Sequence, residues 1–97
     1  MDASVKDLAF QSFDEIWVDL RLQSHIVTGL SKHKNSKQAL DVAEHFKRVV
    51  KQEIIDDVQD WYALKSVFKD LNGDVKYDVM TRINGELAKL GLGVFIE

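Results

Sequence analysis

The sequence predicts an all-α fold: a small bundle of three to four helices forming one domain over residues 1–97. Three observations carry that expectation. Apolar side chains recur at every third or fourth position along three long stretches, the period of a helix face. Apolar residues make up 45% of the chain and charged residues 30%, a balance that buries a core instead of staying disordered. A length of 97 residues without a single cysteine fits one small domain and excludes disulfide scaffolds, thiolate metal sites and thiol catalysis.

The first helix is expected over about 5–28. Its stripe is Val5, Ala9, Phe13, Ile16, Leu20, Ser24 and Val27, in steps of three and four. Phe10 and Trp17 widen the stripe on one side, Leu22 and Ile26 on the other, so this helix should meet two neighbours. Gly29 and the polar run 31–35 end it.

A second stripe follows Asn35 and Ser36, either of which can cap a helix. It runs through Ala39, Ala43, Phe46, Val50, Ile54, Asp57, Trp61, Leu64, Phe68 and Leu71, with an aspartate in its middle. One helix over 36–71 would be about 54 Å long, against a radius of gyration near 12–13 Å for a compact chain of this size, roughly. The acidic group Glu53, Asp56, Asp57 and Asp60 has no lysine or arginine three or four residues away, so its repulsion is uncompensated in a continuous helix. A break near Ile55 turns Asp56 into an N-cap with Gln59 in capping-box position, and favours helices over 36–54 and 57–71. The alternative is a long helix that pairs antiparallel with its copy about a two-fold axis near residue 54. That register sets Arg48 against Asp60 and Lys51 against Asp57 of the second copy.

Asn72-Gly73 closes this element and Asp74 can cap the last helix, over about 75–90, whose stripe is Val75, Val79, Ile83, Leu87 and Leu90. Gly91 ends it, and the apolar residues 92–96 form a short tail or strand that needs cover. The expected core is Phe13, Ile16, Trp17, Leu20, Phe46, Val50, Ile54, Trp61, Leu64, Phe68, Val79, Ile83 and Leu87.

Charge comes in blocks. The net charge is −3, but residues 1–30, 31–53, 54–78 and 79–97 carry −3, +3, −3 and 0, a pattern suited to segments that face one another. Apolar runs fall far short of the ~20 residues of a membrane span, and no charged start leads into an apolar stretch, so no membrane association and a cytoplasmic location are expected.

Chemistry-bearing constellations are weak. Asp70, Asn72, Asp74 and Asp78 occupy calcium-loop positions one, three, five and nine, but Val75 and Thr81 stand where the turn glycine and the bidentate glutamate belong. His25, His33 and His45 are too far apart for a shared metal, and Asp41 with His45 supplies two ligands where three or four are usual. Ser24 and His25 are neighbours on a helix and do not make a nucleophile–base contact. The five glycines build no phosphate loop. No catalytic residue, cofactor or metal is expected.

Lys32, Lys34, Lys37, Lys47, Arg48 and Lys51 form a basic stretch that could contact phosphates, without interleaved aromatic residues to stack on bases apart from Phe46, which is expected to face the core. The run 79–92, followed by Val94, Phe95 and Ile96, resembles a winged-helix recognition helix leading into its wing strand. The resemblance covers about a fifth of the chain and implies that Thr81, Arg82, Asn84 and Lys89 face the groove. It departs from that pattern in leaving only 73–78 for the preceding helix and no second wing strand after Glu97.

The functional expectation is a small non-enzymatic interaction or regulatory module that binds a protein partner or its own copy as a homodimer. The interface is expected on Trp17, Phe46, Arg48, Val50, Lys51, Ile54, Asp57, Asp60, Trp61 and Phe95. The alternative is a nucleic-acid-binding regulator using Lys32, Lys34, Lys37, Lys47, Arg48, Lys51 and Arg82.

Overall fold

The computed structural model describes residues 4–64 and 71–92. Within them the chain forms an all-α bundle of α1 (Val5–Asp19), α2 (Leu22–Leu30), α3 (Ser36–Ala63) and α4 (Leu71–Lys89). None of these helices is long and apolar enough to cross a membrane.

The helix expected over 5–28 is two helices. Ser4 caps α1, its side chain accepting from the Asp7 amide at 3.1 Å. At Arg21 the backbone turns left-handed, with φ at 51°. The cause lies in the two widened sides of the stripe. Ala9, Phe13, Ile16 and Trp17 are buried, and so are Leu22, Ile26 and Leu30. Positions 13 and 22 lie on opposite sides of an unbroken helix. The kink re-aims the second set inward, and Leu20, expected in the core, is left half-buried at the bend.

The break expected near Ile55 is absent. Asn35 and Gln38 form a reciprocal capping box, and α3 then runs unbroken for 28 residues to Ala63. Its buried positions are Ala39, Ala43, Phe46, Val50, Ile54, Ile55, Val58 and Tyr62. From Ile54 onward they follow steps of four, so the inward face rotates around the helix and leaves Asp57, Trp61 and Leu64 outside it. Trp61 and Leu64, expected in the core, are exposed; Phe68 lies outside the described residues. The acidic group is compensated through contacts that local spacing does not show. Asp57 pairs with Arg82 of α4, and Asp56 accepts from the Gln52 side chain at 2.9 Å. Length is no obstacle either, because the bundle is a rod of 47 × 22 × 21 Å with a radius of gyration of 14.4 Å, not a compact sphere.

Asp14 and Trp17 of α1 meet Lys51 and Phe46 of α3, while Asp57 and Tyr62 of α3 meet Arg82 and Asp78 of α4. Both sets of pairs run in opposite chain directions, so α1 and α4 lie antiparallel to α3. Phe13, Trp17 and Phe46 stack with centroids 5.8 and 6.1 Å apart. Lys47 lies 5.5 Å above Trp17, and Lys51 lies 5.1 Å above Phe10.

The last helix begins at Leu71, so Asn72, Gly73 and Asp74 are in its first turn instead of before it. Val75, Val79, Ile83 and Leu87 are fully buried as expected. At the other end the Gly91 amide donates to the Ala88 carbonyl and the Leu92 amide to the Leu87 carbonyl. That is a Schellman cap, and the φ of 78° at Gly91 is why glycine stands there. Because residues 71–89 are one uninterrupted helix, 73–78 do not form a separate helix ahead of a recognition helix. Asn72, Asp74 and Asp78 are likewise helical and not part of a calcium loop. The expected tail or strand lies beyond the described residues from position 93 on.

Candidate interaction surface

The bundle takes four of the expected interface residues into its own core. Trp17, Phe46, Val50 and Ile54 are each less than a tenth exposed, and their apolar area is covered by the chain itself. Their packing holds the helices together. Lys51 and Asp57, expected to meet across a dimer, have partners within the chain: Asp14 at 2.6 Å and Arg82, respectively. Arg48 and Asp60 are exposed, and Phe95 lies outside the described residues.

The exposed apolar side chains are elsewhere. Trp61 is 42% exposed, Leu64 is 87% exposed and Tyr77 is 70% exposed, while Val18 in the last turn of α1 and Leu40 near the start of α3 are exposed apart from these three. Trp61 sits in the last turn of α3, Leu64 is the C-cap of that helix, and Tyr77 lies in the second turn of α4. The bond between Tyr62 and Asp78 ties these two helix ends together, so the three residues share one end of the rod. Trp61 also packs edge-on against Tyr62, with centroids 4.9 Å apart. Tyr62 itself is buried, and that burial, reinforced by the Asp78 carboxylate that accepts its hydroxyl proton, pushes its pKa up. It is a structural anchor beneath the surface and stays protonated at neutral pH.

The same end is acidic. Residues 53–64 contain four carboxylates and no lysine or arginine; α4 adds Asp74, Asp78 and the exposed Lys76 nearby, and its Arg82 is paired with Asp57. At the opposite end of α3, residues 31–40 contain three lysines and His33 without any carboxylate. The two ends of the rod therefore differ in sign.

The basic candidates do not converge on one patch. Lys32, Lys34 and Lys37 are exposed around the α2–α3 loop. Lys47 and Lys51 lie against α1, over Trp17 and Phe10, and Arg82 is held by Asp57. On the outward face of α3, Lys37 and Arg48 alternate with Asp41 and Glu44 at helical spacing, which makes that face mixed in sign. Thr81 donates to the Tyr77 carbonyl and Lys89 to Glu86, so much of the groove-facing set implied by the winged-helix resemblance is engaged along its own helix.

Among the described residues, two clefts flank the bundle. One, of about 340 Å³, lies between α3 and α4 and is lined by Glu53, Ile54, Asp57, Arg82, Gly85, Glu86 and Lys89. Its charges are largely paired with each other: Arg82 with Asp57, and Lys89 with Glu86 at 2.9 Å, a contact that also pushes the Lys89 pKa up. The other, of about 410 Å³, brings His25, Lys32 and His33 next to Leu90 and Leu92. Among the described residues no three His, Cys, Asp or Glu side chains are grouped so as to hold a metal ion.

Leu64 and Tyr77 were not legible as surface residues in the same way. Tyr77 falls midway between the buried Val75 and Val79, so helical spacing alone places it outside. Leu64 continues the apparent stripe, and only the rotation of the buried face beyond Ile54 exposes it.

The chain matches no known protein family, no curated protein and no solved structure.

Proposed function

We propose that this chain is a small non-enzymatic interaction module whose contact surface is the apolar, acidic end formed by Trp61, Leu64 and Tyr77. The observation that carries this reading is their exposure, 42%, 87% and 70%, on two helix ends held together by the Tyr62–Asp78 bond. Large aromatic and aliphatic side chains that stay in water while a full core lies beside them are the usual anchors of protein contacts. The acidic groups around them supply the polar rim that selects a partner.

A photo-reactive residue placed at Leu64 or at Tyr77 tests this in the living cell. Specific protein adducts from both positions, and none from a control at Glu15 on the exposed face of α1, are the expected result. Equal adducts from all three positions, or none from any, would contradict it.

The nucleic-acid reading draws support from the carboxylate-free segment 31–40 with Lys32, Lys34 and Lys37. It has to do without Lys47, Lys51 and Arg82, which are committed to contacts within the chain. Binding to DNA or RNA at low salt that is lost on replacing the three loop lysines would favour it, and no binding at low salt removes it.

A further inference from the structure

We propose that the partner of the Trp61 end is the basic end of a second copy, so that two chains lie antiparallel and each acidic end meets the other chain's residues 31–40. This rests on the reading of that end as a contact surface and adds the identity and orientation of what covers it.

Charge complementarity is the first argument. Residues 53–64 hold Glu53, Asp56, Asp57 and Asp60 without a lysine or arginine, and residues 31–40 hold Lys32, Lys34 and Lys37 without a carboxylate. Within one chain these groups cannot neutralise one another. From Lys37 to Asp60 the axis of α3 spans about 34 Å, several times the screening length of roughly 8 Å at physiological ionic strength. Asp57 is already paired with Arg82, which leaves the exposed Asp56 and Asp60 at one end and Lys32, Lys34 and Lys37 at the other to be met from outside the chain, and a second copy carries both complements.

Symmetry selects the orientation. A parallel pair sets like charges together at both ends. A two-fold antiparallel pair sets unlike charges together at both ends at once, and it closes, whereas end-to-end stacking of the same complementary patches gives an open filament. Apolar anchors occur at both ends of α3, Trp61 and Leu64 at one and Leu40, 38% exposed, at the other. One side of the rod, 47 by 22 Å, offers about 1,000 Å², enough for the roughly 800 Å² per partner of an ordinary interface.

The test is sedimentation of the purified full chain over a concentration series, with circular dichroism to confirm that each variant is folded. The unaltered chain should form a dimer that weakens as salt rises from about 0.1 M to about 1 M, where the screening length falls from about 10 to about 3 Å. Reversing the basic end with Lys34→Glu and Lys37→Glu should raise the dissociation constant about tenfold or more, and so should Asp56→Lys with Asp60→Lys. Combining all four reversals should restore the dimer, because the ends are again complementary with their signs exchanged. A chain that is monomeric at every concentration, or a dimer that neither reversal weakens, overturns the proposal. If the purified chain stays monomeric while a photo-reactive group at Leu64 captures a different protein, the contact surface stands and its assignment to a second copy fails.

Discussion

Arg21 holds the one left-handed backbone conformation among the described non-glycine residues, and it does so because α2 has to be re-aimed after α1. A side chain in that region costs about 1–2 kcal/mol, a cost glycine does not carry. Arg21→Gly is therefore expected to stabilise the fold by about 0.5–1 kcal/mol, seen as a higher midpoint in chemical unfolding. In an unbroken helix over 5–28 the same change would be destabilising by a similar amount, so the sign of the effect decides between the two. Tyr62 is the second residue whose chemistry reports on the fold. Burial first, and the Asp78 carboxylate second, hold its pKa above the ordinary value of 10.0. As pH rises, the unfolded chain loses this proton before the folded chain does. The stabilisation is thus present below about pH 10 and declines above it, because the unfolded state then binds fewer protons than the native one. The melting temperature should fall more steeply above that pH in the unaltered chain than in Tyr62→Phe, whose own cost at neutral pH is about 0.5–1.5 kcal/mol for the lost hydrogen bond.

At the scale of elements, α3 decides the architecture. Its continuity is testable at Asp56, which would cap a new helix if the chain broke near Ile55 and is a mid-helix surface residue in the structure. Loss of an N-cap costs about 1 kcal/mol, whereas removing one carboxylate from an acidic stretch of helix relieves repulsion of about 0.2–0.5 kcal/mol per pair. Asp56→Ala should accordingly leave the unfolding free energy unchanged or slightly raised; a drop of about 1 kcal/mol would restore the break. Helical class, the Asn35 cap, the α4 stripe and its stop at Gly91 were all legible in the sequence, since each depends on residues within a turn or two. The break at Arg21 and the unbroken α3 were not. Arg21 carries no local signal for a left-handed turn, and the acidic group in α3 is compensated by Arg82, which is 25 residues away from Asp57 in the chain. Spacing also hid the exchange of Trp61 and Leu64 for Val58 and Tyr62 on the inward face. Steps of three and steps of four fit the same apolar letters, and only the position of α4 selects between them.

Across the whole molecule, the long α3 makes a rod whose middle is filled by Phe13, Trp17, Phe46 and Val50 and whose two ends differ in charge. The surplus apolar surface expected from the sequence is therefore displaced. Its expected centre, Phe46, Val50 and Ile54, is buried inside the chain, and three of the exposed large apolar side chains, Trp61, Leu64 and Tyr77, lie at the acidic end, with Val18 and Leu40 elsewhere. Of the candidate site, Trp61, Arg48 and Asp60 were chosen from the sequence and are exposed; Leu64 emerges from the packing alone, and Tyr77 was legible as an outward position from helical spacing but not as part of a surface. The two tryptophans give the most direct test of this division, because Trp17 is 4% exposed and Trp61 is 42% exposed. Emission and quenching by a neutral quencher, measured in dilute, folded Trp17→Phe and Trp61→Phe chains, read each indole by itself. Trp61 should emit as a wet indole and be readily quenched, and Trp17 should emit at shorter wavelength and be protected. If Trp61 proves as shielded as Trp17 in the isolated chain, the inward face of α3 does not rotate past Val58 and Tyr62, and the contact surface assigned here does not exist.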